Sequence, residues 1–343
     1  MRTTVLRTAL IGFAAAAGLA FAAQAADYHA PRNAFGQPDL QGVWTNGSLT
    51  TLERPAGLTT LTIPEAQAVA MEKRRAQRRA EQDRPTDPKS GAPPVADDPG
   101  GYNASWTDPG TTFGRLNGQV RTSWLVDPAD GKLPYSAEGR RAFGAALRKA
   151  RTSFDGPEVR PLGERCILGF GSSAGPPMLN VLYNNNYQIV QAPDSVAIVV
   201  EMNHDVRTVR LNAAGHLPPM MRPWMGDSIG HWEGETLVVE TTNFNPGESL
   251  RPYFGATLYL SKDARVTERF TRVSATQILY QFAVDDPQTF TQTWRAEMPL
   301  NAAKGPVYEY ACHEGNYALP DILSGARAAE REGRKPEETG LSE

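Results

Sequence analysis

Residues 277–298 read QILYQFAVDDPQTFTQTWRAEM, and apolar and polar side chains alternate within this stretch. The apolar side chains of its first half that share one face are Ile278, Tyr280, Phe282 and Val284. A period of two is typical of a β-strand that buries one face, because successive side chains point to opposite sides. The Asp-Asp-Pro sequence at 285–287 favours a turn. The stretch therefore predicts two antiparallel strands, over 277–284 and 288–298.

Short runs of β-branched and aromatic residues precede this pair and are separated by turn-forming residues. They predict further strands at 187–193, 195–202, 206–211, 229–233, 236–243 and 265–273. About eight such strands tend to close into a barrel, since closure removes the unpaired edges. The sequence therefore predicts a mainly β fold, an antiparallel meander barrel of the lipocalin type. A two-sheet sandwich is the alternative.

Three segments rich in helix-forming residues flank the predicted strands, at 64–82, 137–151 and 319–331. We expect residues 26–160 to form an N-terminal arm and helices that wrap the barrel, residues 161–318 to form the barrel, and residues 319–343 to form a C-terminal helix and tail. The arm lacks the periodic apolar pattern needed for a core of its own. Arm and barrel are therefore expected to form one unit.

The first 25 residues have the three parts of a secretory signal peptide. Two arginines give a basic start, residues 9–22 are almost entirely apolar, and the AQA sequence at 23–25 has small residues where a signal peptidase cleaves. A membrane anchor is the alternative, but about 14 apolar residues are fewer than the roughly 20 that a spanning helix needs. We expect cleavage between Ala25 and Ala26, a periplasmic or secreted protein, and no transmembrane segment.

Charge and motif content argue against several classes of partner and cofactor. The chain has 35 Lys and Arg against 38 Asp and Glu, a net charge of −3, which disfavours nucleic acid as a partner. A basic cluster within residues 73–79 has glutamates on either side and is interpreted as a solvated helix face. Because the sequence has no dinucleotide-binding fingerprint and no metal-binding His or Cys motif, we expect no cofactor and no metal. The oligomeric state stays open.

The predicted export bears on the redox state of the two cysteines, Cys166 and Cys312. An oxidising compartment favours a disulfide, and two cysteines allow a single pairing. The alternative is a reactive thiol at Cys312, which directly precedes His313 and Glu314. We favour the disulfide, because an exported chain rarely keeps a free thiol.

The most polar segment beside a predicted strand is EMNHDVR at 201–207. His204 is a candidate general acid or base, Asp205 a residue that orients it, and Arg207 a group that binds a carboxylate or an oxyanion. The alternative is a turn between two strands, in which Glu201 and Arg207 form a cross-strand ion pair.

A second candidate catalytic pair, His313 and Glu314, lies where a predicted strand gives way to a loop. We expect His204 and His313 to share one pocket, with side chains within about 10 Å of each other, since catalytic groups must reach one substrate. Further candidates for ligand binding are Glu201, Trp224, Asp227 and His231. Of these, Asp227 and His231 are four residues apart and would line the mouth of the barrel, with ordinary strand packing as the alternative.

Three segments of the chain resemble a group of exported bacterial proteins that carry them together. The segments are PDLQGVW at 38–44, GHWEGETLVVETTNF at 230–244 and YEYACHEGNY at 308–317. The resemblance extends from about residue 38 to residue 327 and implies export, but it supplies no catalytic residues. The Gly-Val-Trp sequence at 42–44 is also similar to the opening of a lipocalin-type barrel, which implies that fold by analogy.

Three classes of function are compatible with these features. The first is an enzyme that acts on a small organic molecule by acid–base chemistry without an organic cofactor, as a lyase, hydratase, isomerase or hydrolase. The second is a non-catalytic, lipocalin-like carrier of a small ligand, and the third is a scaffold protein of the cell envelope. Convergent His, Asp and Arg side chains would favour the enzyme, a cavity with only apolar walls the carrier, and a filled interior the scaffold.

Overall fold

The computed structural model describes residues 28–82, 107–169, 173 and 175–335. The predicted signal peptide and the last eight residues of the predicted tail lie outside these ranges. The α-helices of the described part are α1 (Glu65–Gln82), α2 (Ala137–Thr152) and α3 (Ala318–Arg331). Each helix starts and ends within about one residue of its predicted bounds, well inside the usual uncertainty of helix ends. None of these helices combines the length and the apolar character of a membrane-spanning helix.

The described residues also contain strands, which we number in chain order. They are β1 (Gly42–Thr45), β2 (Thr62–Ile63), β3 (Arg115–Leu116), β4 (Gln119–Arg121), β5 (Leu125–Asp127), β6 (Asn186–Gln191), β7 (Ser195–Val200), β8 (Val206–Leu211), β9 (Asp227–Glu233), β10 (Thr236–Thr242), β11 (Leu250–Tyr253), β12 (Ala256–Tyr259), β13 (Arg265–Ser274), β14 (Gln277–Asp285) and β15 (Trp294–Ala302).

Nine of these strands form a closed barrel, which confirms the predicted mainly β barrel with peripheral helices. Their order around the ring is β1, β6, β7, β8, β9, β10, β13, β14 and β15. Closure depends on β1, where Trp44 lies opposite Tyr187 of β6 on one side and opposite Ala302 of β15 on the other. The N-terminal segment therefore contributes a barrel strand as well as the layers outside the barrel.

One neighbouring pair departs from the predicted antiparallel meander. Strands β8 and β9 are parallel, with Val209 opposite Ser228 and Leu211 opposite Gly230. Strand directions that alternate around a closed ring require an even number of strands, so a ring of nine must contain a parallel pair. The crossing segment 212–226 returns the chain from the end of β8 to the start of β9. The strict meander and the lipocalin type of barrel are therefore not confirmed.

The last barrel strand is shifted from its predicted position. The prediction was 288–298, whereas β15 begins at Trp294 and continues through Pro299 to Ala302. Residues 286–290 form a turn instead, with the N–H groups of Thr289 and Phe290 bonded to the Asp286 carbonyl. Alternation of polar and apolar residues had extended the predicted strand backwards into this turn.

Side chains fill the interior of the barrel. The interior positions with an exposure of 2% or less include Trp44, Tyr187, Ile189, Val196, Ile198, Val200, Val209, Leu237, Val239, Val266, Phe270, Ile278, Tyr280, Phe282, Val284, Trp294, Ala296, Met298 and Leu300. These residues belong to one continuous apolar cluster. The barrel is therefore the core of the protein, and burial of this apolar surface is the main force that stabilises it.

Helix α2 packs so closely against the turn before β15 that one of its glycines has no room for a side chain. A Cβ at Gly139 would lie 2.0 Å from the carbonyl oxygen of Thr289. At Gly144, in the same helix, the nearest atom to a Cβ would be the mobile end of Arg148, at 3.4 Å. The two glycines therefore provide a matched test of this contact.

We expect Gly139→Ala to lower the free energy of unfolding by about 1–3 kcal/mol, because the backbone of Thr289 must shift. Gly144→Ala should raise it by about 0.5–1 kcal/mol, since alanine restricts the unfolded chain and favours the helix. Urea unfolding of both variants checks the pair. Equal effects of the two substitutions would contradict the packing of α2 on this turn.

Candidate functional site

The predicted catalytic segment 201–207 lies at one end of the barrel, where the chain turns from β7 into β8. Asn203 and His204 have positive φ angles of 59° and 46°. Asn and His adopt this left-handed conformation more readily than most residues, so they suit a sharp reversal. His204 is exposed at the turn. The segment therefore forms a turn between two strands, which was the alternative to a catalytic role.

The C-terminal segment that carries His313 is held against the same end of the barrel by two links. Cys166 and Cys312 form the predicted disulfide, with their Cα atoms 5.6 Å apart. The Tyr308 backbone N–H donates to a carboxylate oxygen of Glu201 at 3.1 Å. Both links fix the backbone of the 308–313 segment beside the turn between β7 and β8.

The two histidines that were expected to share a pocket are both exposed, and no hydrogen bond joins their imidazoles. Glu314 is exposed as well. Asp205 is half-buried and accepts the Gly169 N–H at 3.3 Å, and burial raises its pKa to about 6. Within the described ranges, no three His, Cys, Asp or Glu side chains are grouped as metal ligands. The shared pocket of His204 and His313 stays a prediction.

Arg207 points into the barrel, because it occupies one of the buried alternate positions of β8. Its two terminal nitrogens donate to the Glu268 carboxylate at 2.7 and 3.1 Å, and the Tyr280 hydroxyl donates to the same carboxylate at 2.7 Å. Arg207 is 2% exposed and Glu268 is fully buried. The guanidinium is thus committed to an internal ion pair, and the suggested cross-strand pair with Glu201 is not formed.

A second buried pair of titratable side chains, Glu248 and Arg251, lies near this one and was not identified from the sequence. The side chain of Arg251 is 1% exposed and that of Glu248 is fully buried, and their closest atoms, Glu248 Oε2 and Arg251 Nη2, are 3.5 Å apart. Neither carboxyl oxygen of Glu248 has a hydrogen-bond partner. Burial raises the pKa of Glu248 to about 8, the charge of Arg251 opposes this shift, and the charge of Asp205 adds to it.

These raised pKa values predict how stability depends on pH. The ordinary values are 4.5 for Glu248 and 3.8 for Asp205, against about 8 and about 6 in the fold. Between the ordinary and the raised value, the folded chain keeps a proton that the unfolded chain has released. Since these two groups bind more protons in the folded state in this window, their contribution to the free energy of unfolding falls as the pH rises from about 4 to 8.

We expect Glu248→Gln to remove most of this fall, because glutamine keeps the shape of the neutral carboxyl group and cannot ionise. The variant should unfold at a higher temperature than the wild type at pH 9 and at a similar temperature near pH 5. Thermal unfolding across this range measures the effect, with Glu309→Gln as the control at an exposed glutamate. Parallel curves for the wild type and Glu248→Gln would contradict the assigned pKa.

On the outer face of the barrel, an imidazole and a carboxylate form a hydrogen-bonded pair. His216 belongs to the 212–226 crossing, and its Nδ1 lies 2.8 Å from Asp227 Oδ2 at the start of β9. Asp227 is 5% exposed and also accepts the Leu217 N–H at 2.8 Å and the Arg210 guanidinium at 2.9 Å. Burial alone would raise the pKa of Asp227, but the hydrogen bonds from Leu217, His216 and Arg210 outweigh it and hold the pKa below its ordinary value.

The second ring nitrogen of His216 faces a more accessible carboxylate. Its Nε2 lies 3.1 Å from Glu240 Oε1, and Glu240 Oε2 accepts the Arg265 guanidinium at 2.6 Å. Burial acts to raise the pKa of Glu240, and the hydrogen bonds from Arg265 and His216 lower it overall. The Glu240 side chain is 31% exposed, whereas that of His216 is 19% exposed. We name His216, Asp227 and Glu240, with Arg210 and Arg265, the His216 cluster.

Comparison of the chain with family models, with curated proteins and with solved structures gave no match in any of the three.

The sequence identified Asp227 and His231 as candidates, but not His216, the histidine that the structure places beside Asp227. His231 is exposed on β9 and contacts Glu233 at 3.1 Å. Four residues along a strand span about 13 Å, which is too far for direct contact with Asp227. Trp224, another predicted ligand-binding residue, is half-buried against the core. The only sequence signal for His216 is that it is a histidine in the segment between two predicted strands that leads to Asp227.

Proposed function

We propose that the chain is an enzyme that acts on a small organic molecule by acid–base chemistry, with His216 as the group that transfers the proton. The observation that carries the proposal is the hydrogen bond between His216 Nδ1 and the buried, ionised carboxylate of Asp227. A carboxylate on one nitrogen orients the imidazole and stabilises its charged form, which leaves the other nitrogen for the substrate. In this arrangement Asp227 is a positioning residue.

Glu240 occupies the place where a substrate would meet His216 Nε2. It is the most exposed of the three members that make up the hydrogen-bonded chain, and it lies on the solvent side of the imidazole. When the Glu240 carboxylate turns away, Nε2 can accept a proton from a bound molecule or donate one to it. Arg265, which is half-exposed and bonded to Glu240, would then be available for a substrate carboxylate. Lyase, hydratase, isomerase and hydrolase reactions all use such a step.

The packed barrel interior supports this outer site over a ligand inside the barrel. The interior aromatic residues Tyr187, Tyr280, Phe282 and Trp294 have no accessible surface, so a lipocalin-like carrier function has no support from a lumen. The disulfide supports the proposed export, since such bonds form and persist in oxidising compartments. Mass spectrometry of the protein secreted by its own host cell should find Ala26 as the first residue.

The test of the enzyme proposal is a screen of the purified protein against small esters, lactones, 2-hydroxy acids and 2-enoic acids. We expect His216→Gln to lose turnover of any substrate found, by about a hundredfold or more. His231→Gln is the matched control, because this histidine also contacts a glutamate but has no buried carboxylate behind it. Asp227→Asn should lower kcat and shift the pH profile, since it changes the proton on Nδ1.

Circular dichroism of each variant separates loss of turnover from loss of fold. If the His216→Gln variant keeps the turnover of the wild type, the chemistry belongs to another site and the proposal is overturned. A loss of turnover in His231→Gln equal to that in His216→Gln would do the same.

A further inference from the structure

A groove on the outside of the barrel lies between α1 and the segment that follows β1. It encloses about 330 Å³, which is at the lower end of the range of roughly 300–1,000 Å³ for small-molecule sites. Its floor is apolar and includes Leu49, Leu58, Phe113 and Phe254. Three of these floor residues belong to a small apolar cluster that is separate from the barrel core. The groove is therefore a feature of the outer layer, away from the His216 cluster.

One wall of the groove is a row of arginines on α1. Arg74, Arg75 and Arg78 line it together with Met71, because positions three and four apart share a face of a helix. This part of the basic cluster was interpreted from the sequence as a solvated face. In the structure these three arginines are exposed, and they also border the apolar floor, with the Arg75 guanidinium 5.2 Å from the centre of the Phe254 ring.

The positive charge of this wall is not neutralised within the described ranges. The lining residues include no Asp or Glu, and Arg74, Arg75 and Arg78 form no ion pair there, whereas Arg115 beside the same helix is paired with both Glu65 and Glu72. Burial and the charges of Arg78 and Arg79 lower the pKa of Arg75. Glu65 and Glu72 thus pair with Arg115 and not with the groove arginines, and the groove keeps an excess of positive charge.

We propose that this groove binds an amphipathic carboxylate, a molecule with one carboxylate group and one apolar tail or ring. Arginine presents a planar set of N–H donors that matches a carboxylate. The floor of Leu49, Leu58 and Phe254 would remove the apolar part from water. A ligand with both parts contacts the arginine wall and the apolar floor at once. A purely polar anion would leave the floor uncovered, and a neutral apolar molecule would leave the arginines unpaired. This binding site is independent of the proposed acid–base function.

The test uses isothermal titration of the full chain with monomeric dodecanoate. We expect saturable binding of one molecule per chain. Dodecyltrimethylammonium, which has the same tail and the opposite charge, should bind at least about tenfold more weakly. Hexanoate, which has the same head and a shorter tail, should have an affinity at least about a hundredfold lower, because each buried methylene contributes to affinity.

Variants locate the site on the groove. Arg74→Gln combined with Arg78→Gln should weaken dodecanoate binding about tenfold or more. Lys73→Gln is the matched control, since Lys73 is an exposed cation of the same helix that does not line the groove. His216→Gln should bind dodecanoate like the wild type, which separates this test from that of the enzyme proposal.

Four results would overturn the proposal. The first is that the full chain shows no saturable binding, and the second is equal affinity for dodecanoate and dodecyltrimethylammonium. The third is wild-type affinity in the double arginine variant. The fourth is binding to vesicles of anionic phospholipid without binding to monomeric dodecanoate. The last result would assign the arginine wall to a membrane surface, and the first would mean that the groove is already covered in the intact chain.

Discussion

Glu268→Ala should lower the free energy of unfolding by about 3–5 kcal/mol, because it leaves the charge of Arg207 uncompensated inside the barrel. Arg207 is 2% exposed, and both of its bonds to a carboxylate are to Glu268. The Tyr280 hydroxyl would lose its acceptor as well. The three side chains come from β8, β13 and β14, so one substitution weakens contacts across the barrel interior. Chemical denaturation monitored by tryptophan fluorescence measures the loss.

An exposed ion pair of the same barrel provides the control for this prediction. Arg269 follows Glu268 in β13, points outward and pairs with Glu233 at 2.9 Å. Because solvent screens this pair, Glu233→Ala should cost about 0–1 kcal/mol. Replacement of Arg207 and Glu268 together by methionine should restore much of the stability that the single change removes, since no unpaired charge remains. A loss below about 1 kcal/mol in Glu268→Ala would contradict the role assigned to the pair.

The second large effect is expected from the disulfide. Cys312→Ser should destabilise the protein by about 2–5 kcal/mol, because the bond between Cys166 and Cys312 closes a loop of 146 residues and so restricts the unfolded chain. The segment around Cys312 has few other contacts with the barrel; among them are the Tyr308 N–H bond to Glu201 and the stacking of Tyr310 on Tyr183 at 6.5 Å.

The measurement is the unfolding temperature of Cys312→Ser under oxidising conditions, together with limited proteolysis. The wild type treated with a reductant should behave like the variant, whereas the variant itself should not respond to the reductant. We expect a protease to cut the variant between residues 303 and 317 and to leave the barrel intact. An unchanged unfolding temperature would show that the disulfide adds nothing to the other contacts of this segment.

Local patterns in the sequence were sufficient for the three helices and for most of the barrel strands that bury one face, with β15 as an exception. Strand β8 has its predicted bounds, 206–211; its last four residues alternate between outward polar and inward apolar side chains, whereas Val206 and Arg207 reverse that pattern. The start of α2 also has a local cause: Ser136 directly precedes the helix, and its hydroxyl accepts the Gly139 N–H at 2.9 Å. Both features depend on residues a few positions apart, which is the range that such patterns describe.

Contacts between distant residues could not be predicted in the same way. Nothing in the short strand at 42–45 indicates that it closes the ring between β6 and β15. Glu248 follows an Asn-Pro-Gly sequence, which is typical of an exposed turn, and yet it is buried because the hairpin of β11 and β12 packs over the barrel. His216 meets Asp227 only because the parallel pairing of β9 with β8 directs the crossing over the outside of the barrel.

The position of β1 in the ring also determines the order in which the fold can be completed. Residue 44 has to meet residue 187 on one side and residue 302 on the other. Strand β1 therefore cannot complete its pairing until β15 has been synthesised. Contacts between such distant parts of a chain form slowly, because the entropy of a long loop is lost before they contribute. Until β1 docks, the edge of β6 is open and the edge of β15 is covered only where the short β5 pairs with it, and open edges pair readily with other chains. We therefore expect refolding to be slow, and its yield to fall as the protein concentration rises.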